Sequence, residues 1–216
     1  MLHHSNLSFK ETLKYRETTS FIVLHHSEVI TPHTIWDIHK WHQKKGWAGI
    51  GYHYFIAKDG EIYEGRPHDT VGAHAYGYNV ESIGICFEGD FNKERMSEKQ
   101  TDASVMLLAL LSLAYEDISL RTHKELVKEK SCPGKFFPFD KIKDKMEEYK
   151  MYFKALFGEQ KSMMEVTEEW RHFHDNLGDK KEERRRHNAP DTIETGNFQY
   201  EKILRLLKDI EEGEQY

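Results

Sequence analysis

The run Phe21-Ile22-Val23-Leu24-His25-His26 constrains the fold of this chain more than any other segment. It is short, apolar and rich in β-branched residues, the signature of a strand buried inside a sheet. It ends in two imidazoles. Neighbouring side chains on a strand point to opposite faces, so only one of the two histidines can look into a site at the strand end. Alternation alone leaves open which one.

Other elements can be placed around that strand. Thr31-Pro32 supplies an N-cap and a first-turn proline for a helix whose Ile35, Ile38 and Trp41 or His42 recur at helical spacing up to Gly46. Residues 49–56 form the next expected strand. Lys58-Asp59-Gly60-Glu61 carries the Asp-Gly pair of a hairpin, and Ile62 to Glu64 return from it. A polar loop, Val71-Gly72-Ala73-His74-Ala75-Tyr76-Gly77, precedes a strand from Ser82 to Phe87. Ser97 and Gln100 match a capping box for a helix through Ala114, with Leu107, Leu110, Leu111 and Ala114 on one face. A last helix starts at Phe139 and runs at least to Tyr149. This alternation predicts an α/β domain over residues 1–150.

Beyond it, residues 151–216 read as a charged helical C-terminal extension, with amphipathic segments at 163–177 and 198–210 on either side of a stretch holding Arg184-Arg185-Arg186. The stripe Ile203, Leu204, Leu207 and Ile210 needs a partner: the first domain, another molecule, or a second copy in an oligomer.

Composition bounds the function. With 38% hydrophobic and 31% charged residues and no apolar run near the roughly 20 residues needed to span a bilayer, no stable membrane insertion is expected. The net charge of −6 argues against nonspecific nucleic-acid binding, which depends on Lys and Arg neutralising phosphates. Residues 151–216 hold 11 basic and 15 acidic residues, so the first 150 are nearly neutral. Two cysteines far apart do not make a disulfide framework, and residues 1–20 lack the apolar core of a signal peptide. Synthesis in the cytoplasm, with delivery elsewhere by another agent, is the expectation.

The chemistry concentrates in few residues. Cys132, in Lys130-Ser131-Cys132-Pro133-Gly134, follows His123 by nine positions, and with one of His25 and His26 these residues can make a three-ligand zinc site. Zinc accepts imidazole nitrogen and thiolate sulfur, and three protein ligands leave the fourth position to water, an arrangement typical of catalytic sites. The other cysteine, Cys86, sits in an apolar strand and reads as a small buried residue.

Six segments in order resemble one family: Ile22-Val23-Leu24-His25-His26-Ser27, His39-Lys40-Trp41-His42 with Lys45-Gly46-Trp47, Gly49-Ile50-Gly51-Tyr52-His53-Tyr54, Val71-Gly72-Ala73-His74, Ser82-Ile83-Gly84-Ile85 and Ser131-Cys132-Pro133-Gly134. Over about residues 20–147 the chain resembles the zinc N-acetylmuramoyl-L-alanine amidases, a group that includes bacteriophage amidases and animal peptidoglycan recognition proteins. The resemblance implies a central mixed β-sheet flanked by helices, zinc as cofactor, and a groove for bacterial peptidoglycan. It assigns His25, His123 and Cys132 as metal ligands and Tyr52 and Lys130 as catalytic helpers, and it borders the groove with Trp47, His74 and Asn79. Without it Tyr52 would be an ordinary strand tyrosine and Lys130 one lysine of a charged loop. His26, His42 and His53 are expected to be structural.

A related branch uses aspartate in place of the cysteine with a glutamate near the Ser82–Ile85 strand, which makes Glu88 a weaker candidate for structural or catalytic work. Many receptors of the group lack the cysteine, so Cys132 favours an enzyme over a peptidoglycan-binding module without chemistry. The expected activity is hydrolysis of the amide between N-acetylmuramic acid and L-alanine, in a phage or prophage endolysin or, alternatively, a host autolysin.

Overall fold

A computed structural model describes residues 2–115 and 118–157. The helices expected at 163–177 and 198–210, and the Arg184 to Arg186 run, lie outside the described residues. Six strands form one sheet: β1 (Leu2–His4), β2 (Phe21–His26), β3 (Tyr54–Ile56), β4 (Ile62–Glu64), β5 (Ser82–Phe87) and β6 (Ser119–Thr122). Their order is β1-β4-β3-β5-β2-β6. Only β3 and β4 run antiparallel, joined by the expected Asp-Gly hairpin. All other neighbours are parallel, so the sheet is mixed. The apolar run at β2 lies inside it, paired along its whole length to β5 and over four residues to β6.

The helices are α1 (Ile35–Lys44), α2 (Glu98–Ala114), α3 (His123–Leu126) and α4 (Phe139–Phe157). By their contacts the described residues divide into two compact units, 2–103 with 118–139, and 104–115 with 140–157. The first contains the sheet, α1 and α3. On one sheet face Ile35 and Ile38 of α1 pack with Ile50, Phe55 and Cys86, all at most 3% exposed. In the second unit Val105 to Leu111 of α2 are buried, as are Ile142, Met146 and Tyr149 of α4. The Ser112 hydroxyl donates to Met146 Sδ at 3.5 Å. The single apolar face expected for α2 is therefore a helix buried all round in this stretch, with Ala114 only partly buried. No described helix is long and apolar enough to cross a membrane.

Three expectations need correction. The N-cap of α1 is Thr34, not Thr31: its hydroxyl accepts from Asp37 N at 3.3 Å while the Asp37 carboxylate accepts from Thr34 N at 2.9 Å. This reciprocal pair satisfies two amide donors at the helix start, which Thr31 is too far upstream to do. The strand expected over 49–56 shrinks to Tyr54–Ile56, because histidines of α1 take the preceding amides. Ile50 N donates to His39 Nδ1 at 3.2 Å and Gly51 N to His42 Nδ1 at 3.1 Å. Gln100 does not complete a capping box. Its amide N donates to Ser97 Oγ, but its buried side chain donates to the carbonyls of Ile56 and Glu88. Strands β1 and β6 were not foreseen; each carries a single apolar residue and is held by pairing to a strand distant in sequence.

Candidate metal centre and its groove

The two histidines at the end of β2 part company as strand alternation requires. His26 Nδ1 accepts from Phe91 N at 3.1 Å, and its ring stacks on Phe91. His25 turns to the other face, where its ring centre lies 4.5 Å from that of His123 and its Nδ1 3.7 Å from Cys132 Sγ.

Local structure delivers the other two donors to that point. In β6, Thr122 is in register with Leu24, so the next residue, His123, emerges level with His25. Glu125 closes the turn behind it, accepting from Thr122 N at 2.6 Å and Thr122 Oγ1 at 2.8 Å. The loop with Cys132 is tied to α3 by Lys124 N donating to Cys132 O at 2.9 Å, and Phe136 N donates to Phe91 O at 2.8 Å. Finally His26 N donates to Cys132 Sγ at 3.3 Å, holding the thiol at the end of β2. One ligating atom each from His25, His123 and Cys132 lies within 4.8 Å of the others. Tetrahedral zinc with bonds of about 2.0–2.3 Å needs ligand atoms roughly 3.3–3.8 Å apart, so small side-chain adjustments would close the set.

The electrostatics suit a cation. Burial, with the neighbouring His74 and His123, holds His25 well below its usual pKa, and burial, then Lys130, lowers His123 to about 4. Both imidazoles are thus neutral at pH 7 and keep lone pairs to donate. Burial pushes the Cys132 thiol up to about 12, against the opposing pull of the His26 amide. A metal entering here would have to displace that thiol proton.

The remaining candidates surround this cluster. The Tyr52 ring lies 5.1 Å from that of His25. It packs against the core cluster that holds Cys86, and burial raises its pKa well above 10, so it stays protonated. A groove of about 750 Å³ opens beside the centre, lined in part by Trp47, His74, Tyr76, Asn79, His123 and Lys130. Lys130 is exposed, Trp47 is 41% exposed and Tyr76 93% exposed.

Two groove residues carry contacts that sequence reasoning missed. Asn79 Oδ1 accepts from both His74 N and Ala75 N at 2.8 Å, so that oxygen clamps the loop. His74 is buried, with Nδ1 3.1 Å from His25 Nε2. The segment Glu11 to Lys14 also lines the groove, joined to the loop by Val71 N donating to Lys14 O at 2.8 Å. No periodicity in residues 5–20 marks it. His42 and His53 are structural as expected: His53 Nδ1 accepts from Gly84 N at 2.9 Å, and its Nε2 donates to Thr70 O at 2.8 Å. Glu88 is occupied by backbone, accepting from Lys58 N at 2.9 Å and His33 N at 3.5 Å.

A mixed α/β sheet with two imidazoles and a thiol gathered at the ends of β2 and the edge strand β6, beside an open groove, defines the class: a domain whose donor set could hold a metal at the rim of a ligand groove. The chain belongs to the N-acetylmuramoyl-L-alanine amidase family, which it matches over residues 15–135. Its activity is that of the family, hydrolysis of the amide between N-acetylmuramic acid and L-alanine. It is 38% identical to the endolysin of Escherichia phage T7 over 128 residues, 56% of this chain and 84% of that protein. Among solved structures it resembles the endolysin N-acetylmuramoyl-L-alanine amidase LysCS from Clostridium intestinale, with TM-score 0.65 and 37% identity, covering 68% of this chain and 95% of that one. A likeness with TM-score 0.58 and 27% identity, covering 64% of this chain and 87% of the other, extends to peptidoglycan recognition protein-LE in complex with tracheal cytotoxin, a monomeric diaminopimelic acid-type peptidoglycan.

Proposed function

We propose that this amidase is zinc-dependent, that His25, His123 and Cys132 hold the ion, and that the enzyme acts as a phage endolysin on the peptidoglycan of the bacterial wall after release from the cytoplasm. The observation that carries the reading is the set of two neutral imidazoles and one thiol converging at the edge of the groove. When bound, zinc supplies Lewis acidity and an activated water at neutral pH.

The chain's own residues supply the rest. The groove takes the N-acetylmuramoyl-peptide, with Trp47 offering an exposed aromatic wall. As the scissile carbonyl becomes tetrahedral its oxygen turns negative, and the Lys130 ammonium at the groove wall is placed to offset that charge. Tyr52, protonated beside His25, serves as a hydrogen-bond donor to the substrate. A protonated group or water must also pass a proton to the departing L-alanine amine. The C-terminal extension, residues 151–216, would target the wall or join copies of the chain.

The test is release of free L-alanine amino groups from purified peptidoglycan. Activity should vanish on chelation, return on adding zinc, and be absent in Cys132→Ala. Full activity in a rigorously metal-free sample would refute the zinc assignment.

A further inference from the structure

We propose that His74 is a positioning residue for the metal centre: it accepts the Nε2 proton of His25 and so fixes the tautomer that leaves His25 Nδ1 free for the ion. This rests on the zinc reading above and extends it to a residue that sequence reasoning assigned to substrate contact.

The argument runs inward from a backbone carbonyl. The Ser82 hydroxyl donates its one proton to Tyr78 O at 2.6 Å. Toward His74 Nε2, 3.4 Å away, Ser82 Oγ therefore acts as an acceptor. His74 must then carry its proton on Nε2, which leaves its Nδ1 bare. That bare nitrogen lies 3.1 Å from His25 Nε2. A neutral imidazole pair bonds only when one nitrogen donates, so the proton sits on His25 Nε2. His25 Nδ1, 3.7 Å from Cys132 Sγ, is left with a lone pair facing the other donors. Histidine ligands are commonly held this way by a partner on the second ring nitrogen.

The surroundings of His74 are built to hold a ring in one place. Gly72 and Gly84 flank it, and a Cβ on either would lie 2.5 Å from His74 Cδ2. Asn79 Oδ1 clamps the backbone of His74 and Ala75 from the front of the loop. A side chain serving only as groove wall needs neither a glycine slot on each side nor a hydroxyl whose proton is committed elsewhere.

Zinc affinity of the whole chain, measured with zinc alone by competition against a chromophoric chelator, tests the proposal. His74→Phe and His74→Leu, which fill the slot without an acceptor, should weaken binding about 10- to 100-fold. His74→Gln, which restores an acceptor oxygen, should recover most of it. Affinities within about threefold of the unaltered protein in the Phe and Leu variants would overturn the relay while leaving the zinc reading standing. Failure of the unaltered protein to bind zinc would remove both. Should the variants not fold, ¹⁵N spectra of histidine-labelled unaltered protein decide the question, because His25 and His74 should both carry their proton on Nε2. A proton on His25 Nδ1 would overturn the relay.

Discussion

At the scale of single residues the site separates binding from rate. His25, His123 and Cys132 are set to hold a cation, whereas Lys130 and Tyr52 stand beside it without joining the donor cluster. Replacing Lys130 by Ala or Tyr52 by Phe should therefore leave zinc affinity unchanged and lower kcat by about 10²- to 10³-fold, the usual cost of losing one donor to a developing oxyanion. Steady-state kinetics beside a zinc titration would check this, and a large loss of zinc affinity in either variant would mean that the residue supports the centre instead. The raised pKa of Tyr52 bears on its role, since a hydroxyl kept protonated can donate but does not act as a general base near pH 7.

At the scale of elements, the segment 49–53 begins irregularly because the amides of Ile50 and Gly51 go to histidine side chains of α1. Gly51 is the position where this matters most, since its amide feeds His42 and its carbonyl accepts from Ala73 N at 3.0 Å. A Cβ there would stand 2.0 Å from Ala73 O, a backbone atom that cannot move without breaking the loop. Gly51→Ala should destabilise the fold by at least the roughly 1–3 kcal/mol usual for overpacking, seen as a lower midpoint in urea. Unchanged stability would show that the loop of Ala73 and His74 is free to shift. The same close approach shortens the strand expected over 49–56: two glycines bracket Ile50, and the ladder begins only at Tyr54.

For the molecule as a whole, buried neutral histidines couple stability to pH. Burial lowers His42 to about 4 and His68 to about 3, and holds His53 well below its ordinary 6.5. For a group whose folded pKa is depressed, its contribution is complete above the unfolded value near 6.5 and is lost as pH falls toward the folded value. Each such histidine adds up to about 1.4 kcal/mol per pH unit to the loss. Denaturation of the metal-free protein should show stability falling steeply from pH 6.5 to 5; a flat profile would contradict neutral burial. The tail is a separate question. Truncation after Phe157, which spares α4, should weaken binding to intact walls while leaving turnover of small muropeptides unchanged if residues 158–216 target the enzyme. Equal loss of both would point to a structural role. What the sequence by itself determined was the donor chemistry, the inner strands β2 and β5, the Asp-Gly hairpin and the longer helices, because composition and periodicity are local properties. It also named His25, His123 and Cys132 through a resemblance carried by ordered segments. Only the tertiary structure decided which face His25 takes, that His25 and Cys132 converge from 107 positions apart, that β1 and β6 exist, and that the His74 ring turns toward His25. Those outcomes depend on strand register and on hydrogen bonds between distant segments, whose partners no local pattern can name.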